Sequence, residues 1–296
     1  MNYNDTLGAL FLGAMFNALL YGMMCLQCFH FLRNYECRGF LFKSSIWGLL
    51  FLDTLHMAFT SESVYTWTVR NFGNDALILK VPWTMAVSAV LTTCITAIVQ
   101  CWYCHRMWIL SEKNRLLTYP LICVIVLSAG FGLASNGKSF EMKNYQSYVS
   151  THWLTYLNLG LSAAGDIYLT LALCYYLYQH RTPSSHREIY ATINILLAYT
   201  INTGLLTSIV AIVTLITNAT MPGNYIFVST WVLQGEIYSN SLMASLTACQ
   251  QLRRQPVVRE PMTTLRFAQD TEATDDASAF EDGETGTGDV GEKEEL

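Results

Sequence analysis

Seven long apolar stretches, separated only by short polar breaks, constrain this 296-residue chain more than any motif within it. They cover roughly residues 7–31, 44–67, 81–108, 116–135, 152–178, 189–216 and 225–250. About 20 mostly apolar residues let a helix cross the hydrocarbon core of a bilayer. The stretches are continuous, whereas strands of a membrane barrel would alternate over about ten residues. Helices satisfy their own backbone groups in lipid, so the segments are expected to be helical. The expected fold class is therefore an all-α integral membrane protein, a seven-transmembrane helix bundle. Residues 1–252 form its membrane domain, with the breaks at 33–43, 70–80 and 136–150 as loops. Residues 253–296 are rich in Asp, Glu, Thr and Gly, cannot bury a core, and are expected to be a disordered tail.

Charge orients the bundle. Only 13% of residues are charged, and the net charge of −5 divides unevenly. Residues 1–255 carry 14 Lys and Arg against 10 Asp and Glu, while 256–296 carry 3 against 12. A nucleic-acid-binding domain would need a basic surface, so that class is excluded. With the N-terminus outside, the inner loops and tail hold 13 basic residues and the outer loops hold Arg70, Lys80, Lys138 and Lys143. Positive residues favour the cytosolic side, which gives N-terminus outside, C-terminus cytosolic. No Lys or Arg precedes Arg33, so the first stretch lacks the basic region of a signal peptide and is taken as a span. Sequons begin at Asn4 and Asn218, both on the expected outer side, and are candidate N-glycosylation sites. Tyr and Trp near the span ends, such as Trp67, Trp83, Trp108 and Trp153, are expected as interfacial anchors.

Nine cysteines would imply bridges in a small secreted domain, but eight lie in or beside apolar helices and are expected to act as small apolar side chains. Cys101-Trp102-Tyr103-Cys104-His105 matches a haem-attachment pattern on paper, yet it sits at the inner end of a span in a reducing compartment. No cofactor is expected. Cys249, just before Arg253-Arg254, is a candidate palmitoylation site. The terminal Lys293-Glu294-Glu295-Leu296 is close to a luminal retrieval signal, which a cytosolic tail would hide. The plasma membrane is therefore expected in preference to the endoplasmic reticulum. The six histidines are scattered, no metal cluster is expected, and no hydrolase, zinc-protease or P-loop pattern occurs, so the chain is not read as an enzyme.

Ionisable groups deep in a membrane are costly and are candidates for function. Counting about 1.5 Å per residue, Asp53, Asp166, Asn202 and Glu236 lie roughly 14 to 21 Å into their spans and share a central layer. His56 is one turn from Asp53, and Asn240 one turn from Glu236. No Lys or Arg reaches that depth, so the three acids cannot all be charged without partners. Either most carry protons or a cation is bound among them. The layer is thus a neutral hydrogen-bonded network that fixes packing, or a ligand, ion or proton site. No span carries an interior proline; Pro82 and Pro120 are expected in first turns. That weighs against the broken helices of many transporters.

Six strings occur together in order: Asn4-Asp5-Thr6-Leu7-Gly8, Leu52-Asp53-Thr54-Leu55-His56, Asn71-Phe72-Gly73-Asn74, Ala163-Ala164-Gly165-Asp166, Ile201-Asn202-Thr203-Gly204 and Tyr238-Ser239-Asn240-Ser241. With them, residues 3–250 resemble a large family of fungal, mainly basidiomycete, seven-helix membrane proteins of unknown function. The resemblance implies a multi-pass membrane location and no established activity. Its recurrent polar positions would here be Asp53, His56, Asp166, Asn202 and Asn240. The chain departs from that pattern at Glu236, where a basic residue is more usual, and at Thr247-Ala248-Cys249, in place of Asn-Ala-Arg. The expected partners are the lipid bilayer, a small ligand or ion, and cytosolic proteins at the tail. A receptor-like or sensing role leads. A small-solute or proton-coupled transporter using Asp53, Asp166 and Glu236 is the alternative, and a non-catalytic structural membrane protein is the third reading.

Overall fold

The computed structural model describes residues 7–34, 40–74, 77, 80–141, 152–179, 187–220 and 226–254, without the side chains of 40, 41, 141, 152, 177, 187–200, 203 and 249–254. Seven long helices dominate it: α1 (Ala9–Asn34), α2 (Phe40–Tyr65), α3 (Trp83–Leu110), α4 (Arg115–Glu141), α5 (His152–Gln179), α6 (Arg187–Thr220) and α7 (Ile226–Arg254). No strand occurs among the described residues. Among the described residues, four helices are long and apolar enough to cross a membrane: Ala9–Asn34, Trp83–Leu110, Arg115–Phe140 and Trp153–Tyr176. In α6 the apolar stretch is shorter, Gly204–Thr220. Helices α2 and α7 are more polar because they carry Lys43, Asp53 and Glu62, and Gln234, Glu236 and Asn240.

Polarity is distributed inside out. Leu26 is 70% exposed, Leu171 65% and Phe51 63%, whereas Asp53, His56 and Glu236 are all 0% exposed. Water would penalise so much open apolar surface; hydrocarbon would not. This arrangement and the four apolar helices describe a membrane protein.

Consecutive helices pack against one another, and α7 returns to α1 and closes the ring. Helix α3 also touches α5 and α7, and α2 touches α7, so α3 and α7 hold the middle. Buried Met24, Phe31, Ile95, Met107 and Leu173 fill one end of the bundle. Leu10, Val64, Trp67, Met85 and Phe227 fill the other. Along α2 and α7 the buried acids lie between these two apolar clusters.

Local chemistry explains the helix ends. Helix α2 continues as a π turn, Thr66–Arg70, and the Asn71 N–H closes onto Thr66 O at 3.0 Å. Buried Trp67 donates its indole N–H to Lys80 O at 3.0 Å, tying the following loop to the start of α3. Pro82 is extended and precedes the first helical residue of α3, a position that needs no N–H. At α4, Asn114 Oδ1 accepts the Leu116 N–H at 3.1 Å, as an N-cap does.

Two expectations need correction. Pro120 is not in a first turn: α4 starts at Arg115, so its ring falls in the second turn and the Leu116 carbonyl loses its helical partner. The break at 136–150 begins too early, because α4 runs on to Glu141. Polar residues there remain helical through packing: Asn136 Nδ2 donates to Ala89 O and Thr93 Oγ1, each at 2.9 Å. Ser135 and Thr155 hydroxyls lie 2.9 Å apart. The tail beyond Arg254 and the sequon at Asn4 lie outside the described residues.

Candidate functional site

The expected central layer is two clusters, on opposite faces of α7. The first sits between α1, α2 and α7. His56 Nδ1 is 3.4 Å from Glu236 Oε1, both side chains being fully buried. One turn away, Ser239 Oγ donates to Asp53 Oδ1 at 2.9 Å. Asn240 Nδ2 donates to Leu20 O at 3.0 Å and to Glu236 O at 2.8 Å, fastening α7 to α1. Asp53 Oδ2, His56 Nε2 and Glu236 Oε2 have no protein partner. Buried groups left in that condition are costly, so the cluster is a demanding contact that fixes how α1, α2 and α7 meet. Among the described residues no three His, Cys, Asp or Glu gather closely enough to hold a metal ion.

The second cluster sits between α3, α5, α6 and α7. Asp166, 4% exposed, accepts from the Tyr238 hydroxyl on one carboxyl oxygen and from Gln100 Nε2 at 3.3 Å on the other. Gln100 Nε2 also reaches Ser162 Oγ at 3.3 Å, and Ser162 lies 3.3 Å from the Tyr238 hydroxyl. Thr207 of α6 completes the surroundings of the carboxyl. Both oxygens of Asp166 are met by donors, unlike those of Asp53 and Glu236.

Three voids are stacked about this second cluster. At the end of the bundle that carries Trp67 and Phe227 lies a partly open cleft with a cavity volume of about 80 Å³, walled by Trp67, Met85, Phe227 and Trp231 with Asn136 and Asn158. A neck of only about 20 Å³ shares Asn158 and Trp231 with the cleft, and hydroxyl and amide side chains dominate its lining: Thr92, Thr96, Gln100, Ser162 and Gln234 among them. Beyond the Asp166–Tyr238 pair is a third void of about 20 Å³, which both residues line. Neither the cleft nor the neck has a charged side chain in its described wall.

The other expected positions fare differently. Asn202 is exposed and joins neither cluster. The buried face of α6 runs through Thr207, Ala211, Thr214 and Asn218; at 3.6 residues per turn, Asn202 stands about 140° away from Thr207. Asn218 is 0% exposed, so its amide is closed to a glycan in the packed bundle. The side chain of Cys249 lies outside the described residues. Cys101, Cys104 and His105 line an apolar groove against Ile122 of α4, with Cys104 buried and Cys101 exposed. Glu62 pairs with Arg70 at 2.7 Å on the surface.

Gln100, Gln234 and Asn136 were not singled out by sequence reasoning, since a neutral amide in an apolar run carries no charge signal. One signal did exist. Gln234, Tyr238, Ser241 and Ser245 recur at helical spacing on one face of α7, all buried.

Fold and site together define an all-helical, membrane-type bundle with a polar interior. Residues 162–251 match a family of unknown function, DUF6534. That stretch runs from Ser162 of α5 through α6 and most of α7, and so includes Asp166, Gln234, Glu236 and Tyr238. No curated protein and no solved structure matches the chain.

Proposed function

We propose that the protein is a receptor-like, multi-pass membrane protein with seven spans, N-terminus outside, whose outward cleft takes a small organic ligand. On this reading it is one of the fungal seven-span proteins it resembles, and it resides in the plasma membrane. The observation that carries the proposal is the cleft. Its walls come from the C-terminal ends of α2, α4 and α6 and the N-terminal ends of α3, α5 and α7. The excess of basic residues on the opposite ends supports an outer position for all of these. Four large apolar side chains supply contact area, and Asn136 and Asn158 supply orientation, the usual make-up of a small-molecule site.

The test is thermal unfolding of the protein in lipid nanodiscs against a panel of aromatic and terpenoid alcohols, amines and carboxylates. Some members should raise the midpoint, and Trp231→Ala and Asn158→Leu should remove that shift while leaving the unliganded midpoint within a few degrees. If no member of the panel shifts the midpoint, or the variants respond as the parent does, the cleft is not a ligand site.

A second reading has its own support. The voids on either side of Asp166–Tyr238 would suit a small-solute or proton-coupled transporter, with that pair as the closed barrier. Solute flux into liposomes, abolished by Asp166→Asn, would favour it over the receptor. Membrane orientation is checked separately: an N-terminal epitope tag should be labelled on intact cells, and labelling only after permeabilisation reverses the assignment.

A further inference from the structure

We infer that the ligand of the outward cleft is an amphiphilic amine, with its apolar body among the tryptophans and its ammonium group in the neck facing Asp166. The inference rests on the cleft being a ligand site and adds the chemical class of what binds there.

Three observations converge on a cation. First, the neck is slender and polar, so it suits a narrow polar end group rather than the bulk of a ligand. Second, Gln234 is 4% exposed, lines the neck, and its Oε1 has no hydrogen-bond donor. A buried acceptor without a donor is costly, and a ligand N–H would relieve that cost. Third, the carboxyl of Asp166 stands directly behind the wall, 3.3 Å from Gln100 Nε2, which itself lies 3.3 Å from the neck-lining Ser162 Oγ. No Lys, Arg or His is among the described residues of the cleft or neck to offset it.

An ammonium brings three N–H donors and a positive charge to a place with a donorless acceptor and threonine hydroxyls, and with the Asp166 carboxyl behind its wall. A hydroxyl brings one donor and no charge. A carboxylate ligand would set acceptors against Gln234 Oε1 and negative charge near Asp166, in surroundings that screen charge poorly. The cleft itself, with Trp67, Met85, Phe227 and Trp231 in its wall, takes the apolar body.

Matched probes that differ only in the end group test this: 4-phenylbutylamine, 4-phenylbutanol and 4-phenylbutyrate, titrated against the full chain in nanodiscs at fixed ionic strength. The amine should bind about tenfold or more tightly than the alcohol, with the carboxylate weakest. Asp166→Asn should bring the amine down to the affinity of the alcohol and leave the alcohol unchanged. Gln234→Met, which keeps the volume and leaves Asp166 intact, should reduce the amine's advantage severalfold, and it serves if Asp166→Asn fails to fold. If amine and alcohol bind alike at a site lost in Trp231→Ala, the amine assignment is overturned and the cleft stands. If none of the three binds, the cleft as a ligand site falls with it.

Discussion

His56→Leu should destabilise the bundle by about 1–3 kcal/mol, the cost of leaving a buried polar group without its partner, while His56→Leu combined with Glu236→Met should cost much less. Both side chains are fully buried, and their closest approach is 3.4 Å, too long for a strong hydrogen bond. The contact itself therefore contributes little. The loss comes from what the single substitution leaves behind: the Glu236 carboxyl, one of whose oxygens already has no partner, would then have none at either oxygen. Asp53 sits in the same seam, and its Oδ2 is also without a partner, so nothing nearby takes over the role of His56. Replacing both members with apolar side chains removes the problem instead of halving it. Reversible unfolding in bicelles, arranged as a double-mutant cycle, measures the difference. A coupling energy near zero would show that His56 and Glu236 act independently, and the account of this seam would be wrong.

Much of this arrangement is legible in the sequence, and the exceptions have physical causes. Helix boundaries agree with the apolar stretches to within a few residues, except at the end of α4. There hydropathy falls while Asn136, Ser135 and Ser139 satisfy their side chains on α3, α5 and α4 itself, and the helix runs on. Depth in the membrane was enough to find Asp53, Asp166 and Glu236, because charge is rare there. Depth alone misplaced Asn202, since it fixes height and not direction; the helical phase of Thr207, Ala211, Thr214 and Asn218 holds the missing information. That one layer is in fact two clusters follows from α7 being polar on two faces, Glu236, Ser239 and Asn240 on one and Gln234, Tyr238 and Ser241 on the other. A helix like that belongs in the middle of a bundle, and α7 packs on α1, α2, α3 and α6. The cleft could not be seen in the sequence, because its walls come from the ends of six helices and each contributes only a few residues.

The seam where α7 closes on α1 yields the other large effect: Gly13→Val should cost upward of about 2 kcal/mol, as overpacking of a tight contact does. A Cβ on Gly13 would stand 2.8 Å from Ser229 Cβ and 3.0 Å from Ser229 Cα, so the obstacle includes backbone and no rotamer change removes it. The helices would have to separate. Small residues at such crossings are how membrane helices reach close contact when lipid offers no hydrophobic drive to association. Gly13→Ala should be milder, and pairing it with Ser229→Gly should recover part of the loss, since Ser229 Cβ and Oγ disappear while Cα remains. The control lies further along the same helix. A Cβ on Gly22 would meet nothing within 4 Å, so Gly22→Ala should be neutral or stabilising by about 0.5–1 kcal/mol through its helix propensity alone. Separation of α1 from α7 should also disturb the bond from Asn240 to the Leu20 carbonyl and with it the His56–Glu236 contact. Gly13→Val should therefore weaken the coupling measured between those two residues, whereas Gly22→Ala should leave it unchanged. If both glycine variants behave alike, the crossing is looser than its geometry requires, and the closure of the ring does not depend on Gly13.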